Sequence, residues 1–485
     1  MDETTSMRTA VVVTAIVGFL AGSGCRQEQP VPTPEVKRSS GEQPNGLDQT
    51  PFAPATYDGV EVIPARPKIG SYLFGGCGDA HLEISRVFEE AQKLFDQGLA
   101  QLHGHWYYEA ERSFRQILAT EPDCAMAHWG VAMANVHNPD RASEAMAEAI
   151  YHRQRTNARE RLWIDGLAAF YEITPAMAKT NHARIWFDPK PGQPPLPAPK
   201  RKFAKSLEER TRALVAQYDR LVEDQPGDIE AIAFRVNQHW LNRLNDFAAL
   251  PKADLDAQLD QVFAQSPYHP AHLYRMLLWE AEDPSRAKAS AKRVTEIAPA
   301  NGNMWYWAGR IFTALNQPRQ AIPYLEQGLR ADHVHMQRFY MMPYEVFHYG
   351  RSLETTVRTL VEDGRGQDAL DLARHAFAMP RHPRFNRLRE RYSLAGRTRA
   401  AASHACRKLG LDHELKLLES EGHLGIRKRR VGEPTSTAAR LAKESFWEPQ
   451  VRRNWVLRTA DNALVDFRRD YQGKTTLLVL YQGFG

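Results

Sequence analysis

Cysteine is scarce in this chain and badly spaced for chemistry. Cys25, Cys77, Cys124 and Cys406 are the only four in 485 residues, and no two form a C-x-x-C pair. That spacing excludes a zinc knuckle and a complete dithiol redox motif. Apolar runs are short as well: Val11–Leu20 falls below the length that spans a bilayer comfortably. Between Glu83 and Leu418 no alternation of apolar and polar residues competes with a helical pattern, which excludes a sheet as the framework. Charge of one sign is also missing. A net charge of +5 with a pI near 8.9 is small for this length and describes ordinary surface, not a nucleic-acid footprint. Finally, His103/His105, His269/His272, His333/His335 and His348 lack both an H-E-x-x-H frame and accompanying cysteines. They read as helix-end or core histidines, with no metal and no cofactor expected.

What is present is a composition that is 43% hydrophobic and 25% charged, ample for more than one domain. The informative stretch is Leu94–Pro122, in which two helical patterns flank His103-Gly104-His105. Leu94, Gly98 and Leu102, then Ala110, Phe114 and Ile117, recur in steps of three and four and so share one face of each helix. Gly98 stands twelve before Ala110, Phe114 four after it and Pro122 twelve after it. The same register returns in Ala287 and Ala321, with Pro299 and Gly309 between them. This spacing resembles the tetratricopeptide repeat, a helix-turn-helix unit of about 34 residues. The strings AQKLFDQGL, YYEAERSFRQ, CAMAHWGVAMAN and ARERLWIDGLAAFY are similar to a family of exported bacterial tetratricopeptide proteins, over roughly residues 75 to 400. Further repeat-like segments are Arg212–Pro226, Ala257–Pro267 and Gly350–Ala378. Pro122, Pro139, Pro226, Pro251, Pro284, Pro299 and Pro318 read as helix stops. The expected fold is therefore mainly α, a superhelix of hairpins whose concave face takes protein or peptide partners.

On that face Trp305, Trp307, Tyr340 and Tyr344 are candidate partner-binding anchors; the alternative is that such aromatics pack between hairpins. The proline-rich Asp188–Lys202 reads as an exposed excursion, and the Arg-rich stretches Arg381–Arg399 and Arg427–Arg430 as solvated helix and linker. Cys77 and Cys124 are candidates to pair after export, a connectivity that spacing alone leaves open.

The ends carry their own signals. Residues 1–25 read as a signal peptide, and Leu20-Ala21-Gly22-Ser23-Gly24-Cys25 resembles a bacterial lipobox, which implies lipidation of Cys25 and an envelope location. Met7, followed by Arg8, is a second candidate start. Residues 26–80 form a Pro-rich tether and lead-in, 81–425 the repeat domain and 426–445 a linker. From 446 to 485 strand-like runs follow turns. Phe446-Trp447-Glu448-Pro449, and Gly473-Lys474 before Leu477-Leu478-Val479-Leu480, resemble the opening of a thioredoxin-like domain of the alkyl hydroperoxide reductase/thiol-specific antioxidant type. The resemblance implies a redox cysteine at the helix after that strand, beyond Gly485, so no catalytic residue falls in this chain. The alternative is a structural envelope module whose β segment caps the last repeat.

Overall fold

The computed structural model describes residues 56–57, 60–61, 71–85, 87–186, 200–379, 394–416, 418, 456–458 and 464–466. The signal segment with Cys25, the Arg427–Arg430 cluster, nearly all of the proline excursion and most of the Arg381–Arg399 run lie outside them. Two compact units are distinguished, one of Asn45–Glu433 and one combining Met1–Pro44 with Pro434–Gly485. In the second, β3 (Val456–Arg458) pairs antiparallel with β4 (Leu464–Asp466), with Leu457 opposite Val465.

The first unit is a TPR-like array. After a two-residue ladder of β1 (Thr56–Tyr57) and β2 (Val60–Glu61), helices follow one another in hairpins. The pairs are α1 (Glu89–His103) with α2 (Tyr107–Thr120), and α3 (Ala125–Ala134) with α4 (Pro139–His152). Then α5 (Ala158–Phe170) pairs with α7 (Leu207–Asp224), while the inserted α6 (Pro175–Trp186) packs on α4. There follow α8 (Ile229–Leu244) with α9 (Lys252–Gln265), α10 (His272–Trp279) with α11 (Lys288–Ile297), and α12 (Gly302–Ala314) with α13 (Pro318–Phe339). Last come α14 (Tyr349–Glu362) with α15 (Gly366–Phe377), and α16 (Leu394–Lys408). Each hairpin packs on the next, so one hairpin's apolar side is covered by its neighbour.

The small-then-large register has a steric cause. A methyl added at Gly98 would lie 2.8 Å from the Phe114 ring, and one at Gly130 would lie 2.5 Å from the same ring. Phe114, fully buried, is thus a wedge held between two helices that can approach only because each offers glycine. Gly309 faces Leu325 in the same way, at 2.5 Å, and Leu325 stands four after Ala321 as Phe114 stands four after Ala110.

A second repeat lies in the turns. The residue two past the end of α1, α5, α8, α12 and α14 has positive φ: His105, Glu172, Asp246, Asn316 and Gly364. In each case the next N–H reaches back five residues, as Trp106 N does to Gln101 O and Gln317 N to Phe312 O. This is the Schellman ending, which satisfies carbonyls left over at a helix C-terminus. Pro139 and Pro318, read as stops, occupy the first position of α4 and α13, where a missing N–H costs nothing, and Pro284 opens a 3₁₀ turn. Capping boxes start α5 (Asn157 with Glu160) and α7 (Ser206 with Glu209).

Candidate functional site

The turn between α1 and α2 enters the array formed by the later hairpins. His103 Nδ1 lies 2.8 Å from the Tyr274 hydroxyl on α10, and its Nε2 lies 2.7 Å from Glu230 Oε2 on α8. The Gly104 carbonyl accepts from the side-chain amides of Asn301 and Asn303, each at 3.1 Å, at the start of α12. His105 Nε2 lies 3.1 Å from Asn237 Oδ1. The segment Ser71–Ser85, which forms neither helix nor strand, lies in the same array, although its first ten residues belong by composition to the lead-in. Ala300 N donates to Gly76 O (3.0 Å), Asp79 N to Tyr268 O (3.1 Å) and His81 N to Glu230 Oε1 (2.9 Å), while Cys77 and Leu82 are buried. The stretch from α8 to α12 therefore already holds a non-helical segment of this chain's own backbone.

Glu230 is the hub. It is 1% exposed and accepts from His103, from His269 Nε2 (3.3 Å) and from the backbone N–H of His81. Burial opposes its charge, but the imidazoles of His269 and His103 and their hydrogen bonds outweigh this and hold the carboxyl below its ordinary range. His103 is lowered, chiefly by burial, and His105 is pushed down to about 3 for the same reason. The His103, Glu230 and His269 donor atoms lie within 4.8 Å of one another, close enough to invite a metal. The proton positions argue otherwise. Ala271 N–H donates to His269 Nδ1 at 3.0 Å, which places that ring's proton on Nε2, the nitrogen facing Glu230. The trio is a buried hydrogen-bond network around one carboxylate that locks the end of α1 to α8 and to the turn before α10.

Beside this network opens a cleft of about 320 Å³ lined by Leu102, Met133, Leu167, Phe170, Leu214 and Leu241, with Asn237, Gln238, Asn242 and Asn245 among its polar groups. Gln238 Nε2 donates to Asn242 Oδ1 (3.0 Å), which leaves Gln238 Oε1 and Asn237 Nδ2 without an intramolecular partner among the described residues. A second, narrower pocket is lined by His105, Tyr107, His137, His335, His348 and Arg351, and shares Tyr107 and His137 with the first.

The four aromatics singled out in the sequence do not form one surface. Trp305 (7% exposed) and Trp307 (5%) are core residues, and Trp305 Nε1 donates to Pro299 O at 3.0 Å. At α12 the inter-hairpin packing reading therefore describes the indoles better than a partner-binding one. Tyr340 is 86% exposed, in a left-handed residue that ends α13, and Tyr344 is half-buried in the following 3₁₀ turn. Of the flagged histidines only His333 is exposed; His103, His105, His269, His272, His335 and His348 are buried. Cys77, Cys124 and Cys406 are free thiols, so the Cys77–Cys124 pairing is not made; burial pushes Cys77 and Cys124 up to about 12 and Cys406 up to about 11. The residues that sequence reasoning passed over are Glu230, Asn237 and Gln238. Their one visible signal is polarity at α8 positions where the helical period calls for apolar residues.

No helix among the described residues is long and apolar enough to cross a membrane. No protein-family model and no curated protein matches the chain. Among solved structures it is similar to the crystal structure of the APC/C hetero-tetramer Cut9-Hcn1, at 13% identity and a TM-score of 0.23, over 69% of this chain and 66% of that one. The chain thus spans about two thirds of that chain's length, and the repeat architecture rests on the hairpins described above.

Proposed function

We propose that this protein is an exported, lipid-anchored scaffold that holds an extended segment of a partner protein in the cleft between α1, α3, α5, α7 and α8. The observation that carries the reading is the cleft itself: apolar walls to take side chains, and amides of Asn237 and Gln238 open to a partner's backbone N–H and C=O. The Ser71–Ser85 segment supports it, because this array already binds a non-helical stretch of backbone through hydrogen bonds at Tyr268 and Ala300. The lipobox-like Cys25 motivates the anchor. The thioredoxin-like likeness of 446–485 motivates a redox role. A purely structural envelope module is the competing reading, and it shares the cleft.

Peptides selected against the full chain should be apolar and extended. Gln238→Trp, which fills the cleft from a half-buried position, should weaken them at least tenfold, about 1.4 kcal/mol. Retained binding, or loss on Tyr340→Ala instead, defeats the cleft. Incorporation of labelled fatty acid should vanish in Cys25→Ser.

A further inference from the structure

We infer that His128, Glu148 and His152 form a binding site for a divalent transition metal of the zinc type. None of the three lines either pocket, so the site is separate from the cleft. His128 sits on α3, while Glu148 and His152 stand four residues apart on α4, so one helix face offers a carboxylate and an imidazole toward the same point. Their donor atoms all lie within 4.8 Å of one another. Two ligands of one tetrahedral zinc ion at about 2.0–2.2 Å are about 3.3–3.6 Å apart. Closing the group around an ion thus asks for up to about 1.4 Å of side-chain movement in the widest pair.

The surrounding hydrogen bonds prepare the donors. His128 Nε2 lies 2.9 Å from the Pro122 carbonyl, which can only accept, so the proton is on Nε2 and the lone pair on Nδ1. A ring N–H tied to a backbone carbonyl is the usual support of a metal-bound imidazole. This is the reverse of His269, whose Nδ1 accepts from Ala271. Glu148 is oriented by α6: its Oε2 lies 2.8 Å from His182 Nδ1, and its Oε1 accepts from Asn181 Nδ2 at 3.1 Å. Outer partners of that kind hold a ligating carboxylate in place. The His128 and His152 rings lie parallel, 8° apart, with centroids 5.7 Å apart. His128 and Glu148 are buried and His152 is half-buried, so the group meets solvent on its His152 side, where water can complete the coordination. Two imidazoles and one carboxylate suit zinc and its neighbours better than calcium or magnesium, which take oxygen donors.

Cobalt(II) added to the chelator-treated full chain tests the site by visible absorption. One equivalent should bind with the intense bands of a four-coordinate site, and one equivalent of zinc should displace it. His152→Ala, at a half-buried position, should weaken binding by more than the roughly 10–100-fold that loss of an outer partner costs, and Asn181→Ala should fall within that range. Glu148→Gln, which keeps the side chain's shape, should weaken it as His152→Ala does, with circular dichroism unchanged. Spectra no different from aqueous cobalt, binding indifferent to His152→Ala, or binding abolished by His269→Gln or His333→Ala instead would each overturn the assignment.

Discussion

Replacing Glu230 by Ala and by Gln should have costs that differ by several kcal/mol, and the difference follows from where the protons are. The carboxylate accepts from His103 Nε2, His269 Nε2 and the His81 backbone inside a site that is 1% exposed. Ala removes the acceptor and strands these donors with little water to replace it; leaving a buried donor unsatisfied costs about 1–3 kcal/mol for each one. Gln keeps the shape and can place its carbonyl oxygen where Oε1 now meets His81 and His269. Its NH₂ then faces His103 Nε2, and that ring can shift its proton to Nδ1, because the Tyr274 hydroxyl there donates or accepts equally well. His269 has no such freedom while Ala271 N–H holds its Nδ1. The expected cost of Glu230→Gln is therefore about 1–2 kcal/mol. Urea unfolding followed by far-ultraviolet circular dichroism reads both variants. An Ala variant within about 1 kcal/mol of the parent refutes the buried network, and a Gln variant as costly as Ala refutes the tautomer argument.

The wedge, the turns and the buried imidazoles each carry a further expectation. Phe114→Ala should cost about 3–5 kcal/mol, and Gly98→Ala should also destabilise; the double variant should cost less than the sum, since the ring that the new methyl strikes is gone, and strict additivity in urea unfolding counts against the wedge. Gly364→Ala meets no atom within 4 Å yet should cost about 1 kcal/mol from its positive φ alone, and no loss in thermal unfolding contradicts the Schellman reading. Burial holds His105 and His272 down to about 3, below the unfolded value near 6.5, so the unfolded chain gains their protons first as pH falls. Stability should then drop by about 1.4 kcal/mol per pH unit for each histidine between pH 6.5 and about 4, and a flat profile over that window excludes the assignment.

Much of the framework was legible because it is local. Steps of three and four, a glycine twelve before an alanine and a large side chain four after it all lie within one hairpin, and the Phe114 and Leu325 contacts give that spacing its steric meaning. The turns were harder to read. Four of the five left-handed positions carry His, Glu, Asp or Asn where glycine would have announced them, so helix ends had to be inferred from prolines, and Pro139 and Pro318 proved to begin helices. The aromatic-rich start of α12 looked like a surface because a fully apolar helix face has no sequence mark that separates core from groove.

The amino-acid order on its own determined that this chain makes stacked helical hairpins, since helix periodicity and small-residue register act between neighbours a few residues apart. Only the tertiary structure decided that His103 meets Glu230 across 127 residues, that His128 comes within reach of Glu148 and His152 on α4, and that Ser71–Ser85 hydrogen-bonds to Glu230, Tyr268 and Ala300. Those encounters depend on the accumulated rotation of several repeats, a quantity that no single repeat contains.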